Sequence, residues 1–238
     1  MFPALREAVG SLIDPATLRH IAWSHFESDE CGALNEFLAL APQAVPVCSQ
    51  VAAMVSVNDV ADRPARALAD GEVLKIGRHA LKWLDAPHVP HAWENGFMME
   101  LETRTLLSGD LFTQGGSGSV ALTESDILGP SEAFRAPMDY YAHAPNTAET
   151  LLRLARHKPG TLACMHGSAW RGDGGMLLRH LGEVLAAAED RDPAGWAPVH
   201  AWRALAQLRA AAAAEPLLAL LRRETESEWV QAEVPAVL

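Results

Sequence analysis

Apolar positions in the opening stretch FPALREAVGSLI recur at helical spacing and predict a first helix. In IDPATLRHIAW a turn at Asp14 and Pro15 leads into a short strand ending at Trp23. CGALNEFLALA reads as a helix, AVPVCS as a strand, and SQVAAMVSV as another helix with Ser49 as its N-cap. Strands follow in EVLKIG, HALKWLDAP, GFMMELE and RTLLSGD, separated by turn residues at Asp70-Gly71 and Asn95-Gly96. Beyond Asp110 the pattern is mainly helical, interrupted by one apolar run, TLACMHG. Such alternation predicts an α/β fold whose polar clusters fall at strand ends. After about Glu189 the chain is rich in Ala and Leu and broken by Pro198 and Pro216. The expected organisation is therefore a core domain, 1–189, and a helical extension, 190–238, that serves packing or oligomer contacts.

Composition narrows the function. A chain of 238 residues with 49% hydrophobic content can bury one sizeable core. Its net charge of -11 argues against nucleic acid and anionic membranes as partners and favours a small-molecule ligand or substrate. No leader pattern and no apolar run of about 18 residues is readable, so a membrane span is not expected. Cys31, Cys48 and Cys164 are odd in number and never spaced C-x-x-C, which suits a reducing, cytoplasmic location. Cys31 reads as a packing residue rather than a reactive thiol.

Chemistry concentrates in SHFESDE, Ser24 to Glu30, where His25, Glu27, Asp29 and Glu30 crowd together. Residues at i, i+2 and i+4 share one side of an extended segment, so His25, Glu27 and Asp29 converge if the backbone is extended. Close carboxylates repel, and a bound cation resolves the repulsion more simply than raised pKa values. The competing interpretation is an acidic loop at the start of the following helix, favoured by the helix dipole. Three further strand ends offer ligand residues: PHVPHAWENG with His88 and His91, SGDLF with Asp110, and CMHGS with His166. His20, His79, His143, His157, His180 and His200 lack that context and are expected to be surface or packing residues. RGDGG, Arg171 to Gly175, lacks the lysine and serine of a phosphate loop and reads as a turn before a helix. The glycine-rich TQGGSGSVALTESD after Asp110 is either a lid or a plain surface loop.

Taken together, SHFESDE, PHAWENGF, SGDLF and MHGS resemble the metallo-β-lactamase fold in its diiron branch, that of flavodiiron and oxygen-binding diiron proteins. The resemblance runs from about Phe2 to Leu185 and implies an αββα sandwich, here N-terminally incomplete, with an appended helical tail. It implies that His25, Glu27 and His91 hold one metal, that Asp29 and His166 hold the other, and that Asp110 bridges them. His91 is preferred to His88 for its spacing to Phe97, which leaves His88 as a supporting or entrance residue. Glu30 stands where hydrolase members carry histidine; it either binds the second metal, accepts a proton or stays outside the ligand set. Asp110 and Glu30 are accordingly the candidate catalytic residues. Oxygen donors at Glu27 and Glu30 favour two iron ions, with zinc or manganese as alternatives.

The expected activity is binding or reduction of oxygen or nitric oxide with an external electron donor. A metal-dependent hydrolase of ester, thioester or amide bonds, and a non-catalytic relative, stay open as alternatives. The strands that usually open the fold are not matched, so self-association into a homo-oligomer would cover the sheet edge they leave.

Overall fold

The structure, a computed structural model, describes residues 2–116, 120–189 and 214–223. Ten strands form two sheets among these residues. The smaller sheet joins β1 (His20–Ala22), β2 (Val45–Ser49) and β3 (Arg66–Leu68) in that order, all parallel. The larger has seven strands: β4 (Val73–Ile76), β5 (His79–Asp85), β6 (Gly96–Glu100), β7 (Thr105–Gly109), β8 (Leu122–Thr123), β9 (Thr161–Cys164) and β10 (Ala169–Arg171). Their spatial order is β4-β5-β6-β7-β9-β10-β8, antiparallel from β4 to β7 and parallel between β7 and β9.

Helices lie along both halves of the chain: α1 (Phe2–Gly10), α2 (Ser28–Cys31), α3 (Leu34–Leu40), α4 (Gln50–Ala52), α5 (Asn58–Val60), α6 (Leu128–Met138), α7 (Thr147–Ala155), α8 (Gly174–Glu189) and α9 (Ala214–Arg223). A π-helical turn, Ala53–Val57, joins α4 to α5. The expected N-cap is present, since the Ser49 hydroxyl accepts from Ala52 N at 3.0 Å. The turn before α8 is capped by Asp173, whose carboxylate accepts from Met176 N at 2.9 Å.

Alternation along the strands explains the layers. Trp23, Leu34, Leu38, Cys48, Ala52 and Val57 pack together where helices cover the outer face of the small sheet. Val47 and Leu68 on its inner face meet Leu74, Trp83 and Met98 of the large sheet. Leu106 and Leu162, register partners on β7 and β9, are buried on the opposite face. α7 and α8 bury Leu151, Leu154, Leu178 and Leu181. The result is the αββα sandwich of a metallo-β-lactamase-like fold.

Contact density divides the chain after Glu183. In the second unit, Val184–Leu238, the described residues are the last turns of α8 and the amphipathic α9, where Arg222 lies 3.3 Å from Glu215. His200, Pro198 and most of the Ala-rich extension lie outside the described residues.

Three strands were not expected from the sequence: β3, β8 and β10, each of three residues or fewer. A second difference concerns Asp29. The backbone is extended at Glu27 (φ −131°, ψ 161°), but Ser28–Cys31 forms a helical turn, so Asp29 and Glu30 reach the cluster from α2 rather than from an extended segment. The helix competes successfully because Gly32 N closes it on Ser28 O and Cys31 N on Glu27 O.

Candidate metal centre

The four strand ends expected to carry ligands converge. His25 follows β1 and is almost fully buried; Asp110 follows β7; His166 follows β9; His91 sits in the loop after β5. Local chemistry fixes each. The Ser24 hydroxyl lies 2.9 Å from His25 Nδ1, which turns Nε2 toward the cluster. Ser24 O accepts from Gly96 N, and Phe26 N donates to Glu94 Oε1 at 2.9 Å, so both neighbours of His25 are tied to the β5–β6 connection. His88 and Ala92 take left-handed backbone conformations, φ 64° each, on either side of His91.

Two groups of donors result. In the first, His91 Nε2 is 3.0 Å from His25 Nε2, while Glu27 oxygens lie 3.4 Å from His25 and 3.3 Å from His91. Asp110 Oδ2 is 3.6 Å from His25 and 3.5 Å from His91. In the second, Asp110 Oδ1 is 3.5 Å from His166 Nε2, and Asp29 Oδ2 is 3.2 Å from the same nitrogen. Glu30, Asp110 and His166 also each offer a donor atom within 4.8 Å of the others.

These spacings test whether a metal fits. For bonds of about 2.1 Å, two donors on one ion lie about 3.0 Å apart at a right angle and about 3.4 Å apart at the tetrahedral angle. The edges run from 3.0 to 3.6 Å, from the right-angle value to slightly beyond the tetrahedral one. Two imidazole nitrogens facing each other at 3.0 Å share at most one proton between them, with Glu27 and Asp110 oxygens 3.3 to 3.6 Å from the same nitrogens. Each Asp110 oxygen faces a different group, the arrangement a bridging carboxylate requires.

Electrostatics agree. Burial, reinforced by the Asp110 and Asp29 charges, pushes the Glu30 carboxyl up to about 7, with the Ser24 hydroxyl pulling the other way. Among the described residues neither Glu30 oxygen finds a hydrogen bond of normal geometry, and Asp110 Oδ1 is likewise buried without one. Burial also raises the Asp110 pKa, against the pull of His25, His91 and His166. Orphaned buried carboxylate oxygens are costly unless a cation completes them.

Around the cluster lies a cavity of about 830 Å³ whose walls include Gln114, Phe134, Met138, Tyr140 and Met165. The Tyr140 hydroxyl donates to Asp110 O at 3.1 Å, its ring meets His91 edge-on at 5.8 Å, and burial pushes its pKa up to about 12. Gly115 and Gly116 of the glycine-rich loop also line this cavity; 117–119 lie outside the described residues.

Every residue expected to carry ligation is therefore in one cluster, while His88 is exposed and outside it. Ser24, Glu94 and Tyr140 support the cluster without having been singled out; no spacing marks a lone hydroxyl or carboxylate as a support. His79, expected to be a surface or packing residue, sits with Glu100 and Glu102. That group is internally satisfied: Glu100 Oε1 is 3.1 Å from His79, Oε2 accepts from Thr103 N and Oγ1 at 2.6 Å each, and Thr103 holds the Glu100 carboxyl down at about 2. Burial, with the Glu30 charge, pushes the Cys31 thiol up to about 11, and its side chain packs against the core around Trp23 and Leu38.

An αββα sandwich with imidazole and carboxylate donors gathered at its strand ends defines the metallo-β-lactamase class of fold. Within that class, residues 1–150 match the family described as ODP family beta lactamase, and the chain belongs to it. Among curated proteins it is 26% identical over 176 residues to the nitric oxide reductase of Moorella thermoacetica, covering 69% of this chain and 43% of that protein. It also matches diflavin flavoproteins of Nostoc sp. and Thermosynechococcus vestitus, of which it spans 19% and 31% of the length. The chain thus spans less than half of the curated relatives it matches. Among solved structures it superposes on rubredoxin oxygen:oxidoreductase from Desulfovibrio gigas with a TM-score of 0.63 at 23% identity, covering 76% of this chain and 47% of that one. The chemotaxis sensor ODP, solved as a peroxy diiron species, gives 0.62 at 16% identity over 76% of this chain and 78% of that chain.

Proposed function

We propose that this chain is a binuclear non-haem iron protein that binds or reduces oxygen or nitric oxide with electrons from an external donor. His25, Glu27 and His91 would hold one ion, Asp29, Glu30 and His166 the other, and Asp110 would bridge them. The observation that carries the reading is the split of Asp110, Oδ2 toward one donor group and Oδ1 toward the other. Three histidines stand against four carboxylates, Glu27, Asp29, Glu30 and Asp110, a donor mixture that favours iron or manganese over a zinc hydrolase. Four ionised carboxylates also balance two divalent cations in formal charge.

Bound ferrous ions would supply the electrons that the protein's own side chains cannot. The chain's part is positional. Ser24 fixes the His25 ring, Tyr140 holds the Asp110 main chain, and the cavity beside them admits a small molecule. The names of the matched nitric oxide reductase and rubredoxin oxygen:oxidoreductase support this reading.

Metal analysis of protein purified without oxygen, with optical spectra before and after exposure to air or nitric oxide, tests it. Two irons per chain and a changed spectrum that zinc substitution abolishes are expected. Efficient zinc-supported ester or thioester hydrolysis with no response to either gas would replace the proposal by the hydrolase alternative.

A further inference from the structure

Asp110 and His166, whose 3.5 Å approach joins the two donor groups, stand on segments that leave the parallel strands β7 and β9 side by side. Below them Met165 N donates to Gly109 O at 2.9 Å, which continues the pairing of the two strands. Above them the segments are clasped again at Gln114, whose own N donates to His166 O at 3.2 Å.

The Gln114 side chain extends that clasp. Its Nε2 donates to Ser168 O at 3.2 Å and to Phe112 O at 3.0 Å, and its Oε1 accepts from Ser168 N at 3.2 Å. Donor and acceptor both face the main chain of one residue, which fixes the orientation of the carboxamide. Gly167 makes room for it: φ is +95°, and a Cβ there would lie 2.7 Å from Gln114 Cβ and 2.9 Å from Cδ. Although Gln114 is part of the wall of the donor-side cavity, its polar atoms are spent on main chain and not on an entering molecule. On the outer side Ser168 Oγ donates to Val120 O at 2.5 Å and Ala169 N to Ala121 O at 3.0 Å, which ties the segment toward β8. The Gln114 carboxamide ties it toward Asp110.

This tie matters more for the second donor group than for the first. The His25 and His91 side chains are 0% and 18% exposed and packed in place, whereas those of His166 and Asp29 are 41% and 44% exposed. Ser24 holds the His25 ring at Nδ1; among the described residues nothing bonds His166 Nδ1. The place of the His166 ring is therefore set by the main chain that carries it, and a ligand set must be held to within about 0.5 Å to keep its geometry.

We propose that Gln114 is a positioning residue for the second metal position: by locking Ser168 it holds His166 at bridging distance from Asp110, and so decides whether one ion or two are held. This rests on the binuclear reading above, though not on the choice of iron. Zinc, which binds without redox chemistry, is the probe. Titration of the metal-free chain, followed by calorimetry, should give two affinities, and His166→Ala identifies the one that belongs to the second position. Gln114→Met keeps the length of the side chain and removes its hydrogen bonds; it should weaken the second position by roughly 10- to 100-fold, as loss of an outer partner does, and leave the first unchanged. Gln114→Asn, one methylene shorter and equally polar, should do the same and supplies the test should Gln114→Met not fold. An unchanged second affinity in a folded variant, or equal weakening at both positions as a merely structural role requires, would overturn the assignment while leaving the binuclear reading intact. A parent chain that takes up a single zinc ion would refute the binuclear reading and the assignment with it.

Discussion

Replacing Asp110 by Asn keeps its shape and removes its charge, and the geometry fixes what should follow. Oδ2 serves the group of His25, Glu27 and His91, while Oδ1 serves that of His166, so one substitution touches both. Loss of a mere supporting partner of a ligand lowers metal affinity by roughly 10- to 100-fold, about 1.4 to 2.8 kcal/mol. A direct donor to two ions should cost at least that at each. The metal-free fold should respond in the opposite direction. Burial raises the Asp110 pKa above its unfolded value, so the ionised side chain opposes folding above the unfolded pKa and stops doing so as pH falls through the folded one. A neutral Asn carries no such penalty at pH 7. The expected signature is therefore a melting temperature unchanged or raised without metal, together with weaker stabilisation by added iron and lower occupancy at both positions. Competition with a chelator gives the occupancies, and calorimetry with and without metal gives the two stabilities. His166→Ala is the control and should empty mainly one position. Full occupancy of both positions in Asp110→Asn would refute the bridging assignment.

Glu30→Gln should weaken one position by about 10- to 100-fold or more if Glu30 is a ligand, and Glu30→His should shift the preference of that position from iron toward zinc; competition binding of the two metals decides, and unchanged selectivity removes Glu30 from the ligand set. Ser24→Ala removes the partner of His25 Nδ1 and should lower affinity at the His25 position by roughly tenfold while leaving the fold intact, which metal titration with circular dichroism would check. Gly109→Ala should destabilise the protein by more than about 1 kcal/mol, because Gly109 has φ +49° and a Cβ there would lie 2.7 Å from Ser24 Oγ; a denaturant midpoint equal to the parent's would contradict this. Thr103→Val should let the Glu100 carboxyl rise from about 2, and since a depressed pKa stabilises the fold above the unfolded value and is lost as pH falls through the folded one, the variant should respond less steeply to acid between those values.

Much of the fold was legible because its longer elements are apolar runs bounded by turn residues. Strands β5 to β7 are runs of five to seven residues, with turn residues at Asp70-Gly71 and Asn95-Gly96 marking off strand segments. β3, β8 and β10, with three residues or fewer, carry too few positions for any period to show, and their pairing is set by neighbours far along the chain. The donor set was legible for a different reason. Crowded like charges at a strand end have few stable explanations, and three further strand ends offer a His or Asp side chain that the fold brings to the same place. What the sequence misjudged was the local path. His25, Glu27 and Asp29 were expected to share a side through an extended backbone, whereas the chain extends only to Glu27 and then turns helical. Spacing restricts which conformations allow convergence; it does not choose among them when tertiary partners also act.

Those partners show how a loop can be as rigid as the strands beside it. Phe26 N is held by the Glu94 carboxylate, Glu94 O accepts from the Ser49 hydroxyl, and Ser49 in turn caps α4. One chain of hydrogen bonds thus runs from the segment carrying His25, through the loop carrying His91, to the small sheet. On the other side Gly109, free of a Cβ, lets β7 approach Ser24 closely and brings Asp110 against His25. The donors are therefore positioned by main-chain anchors on both sheets before any cation arrives. On the proposed binuclear reading, folding imposes the repulsion among the carboxylates and a bound cation would relieve it.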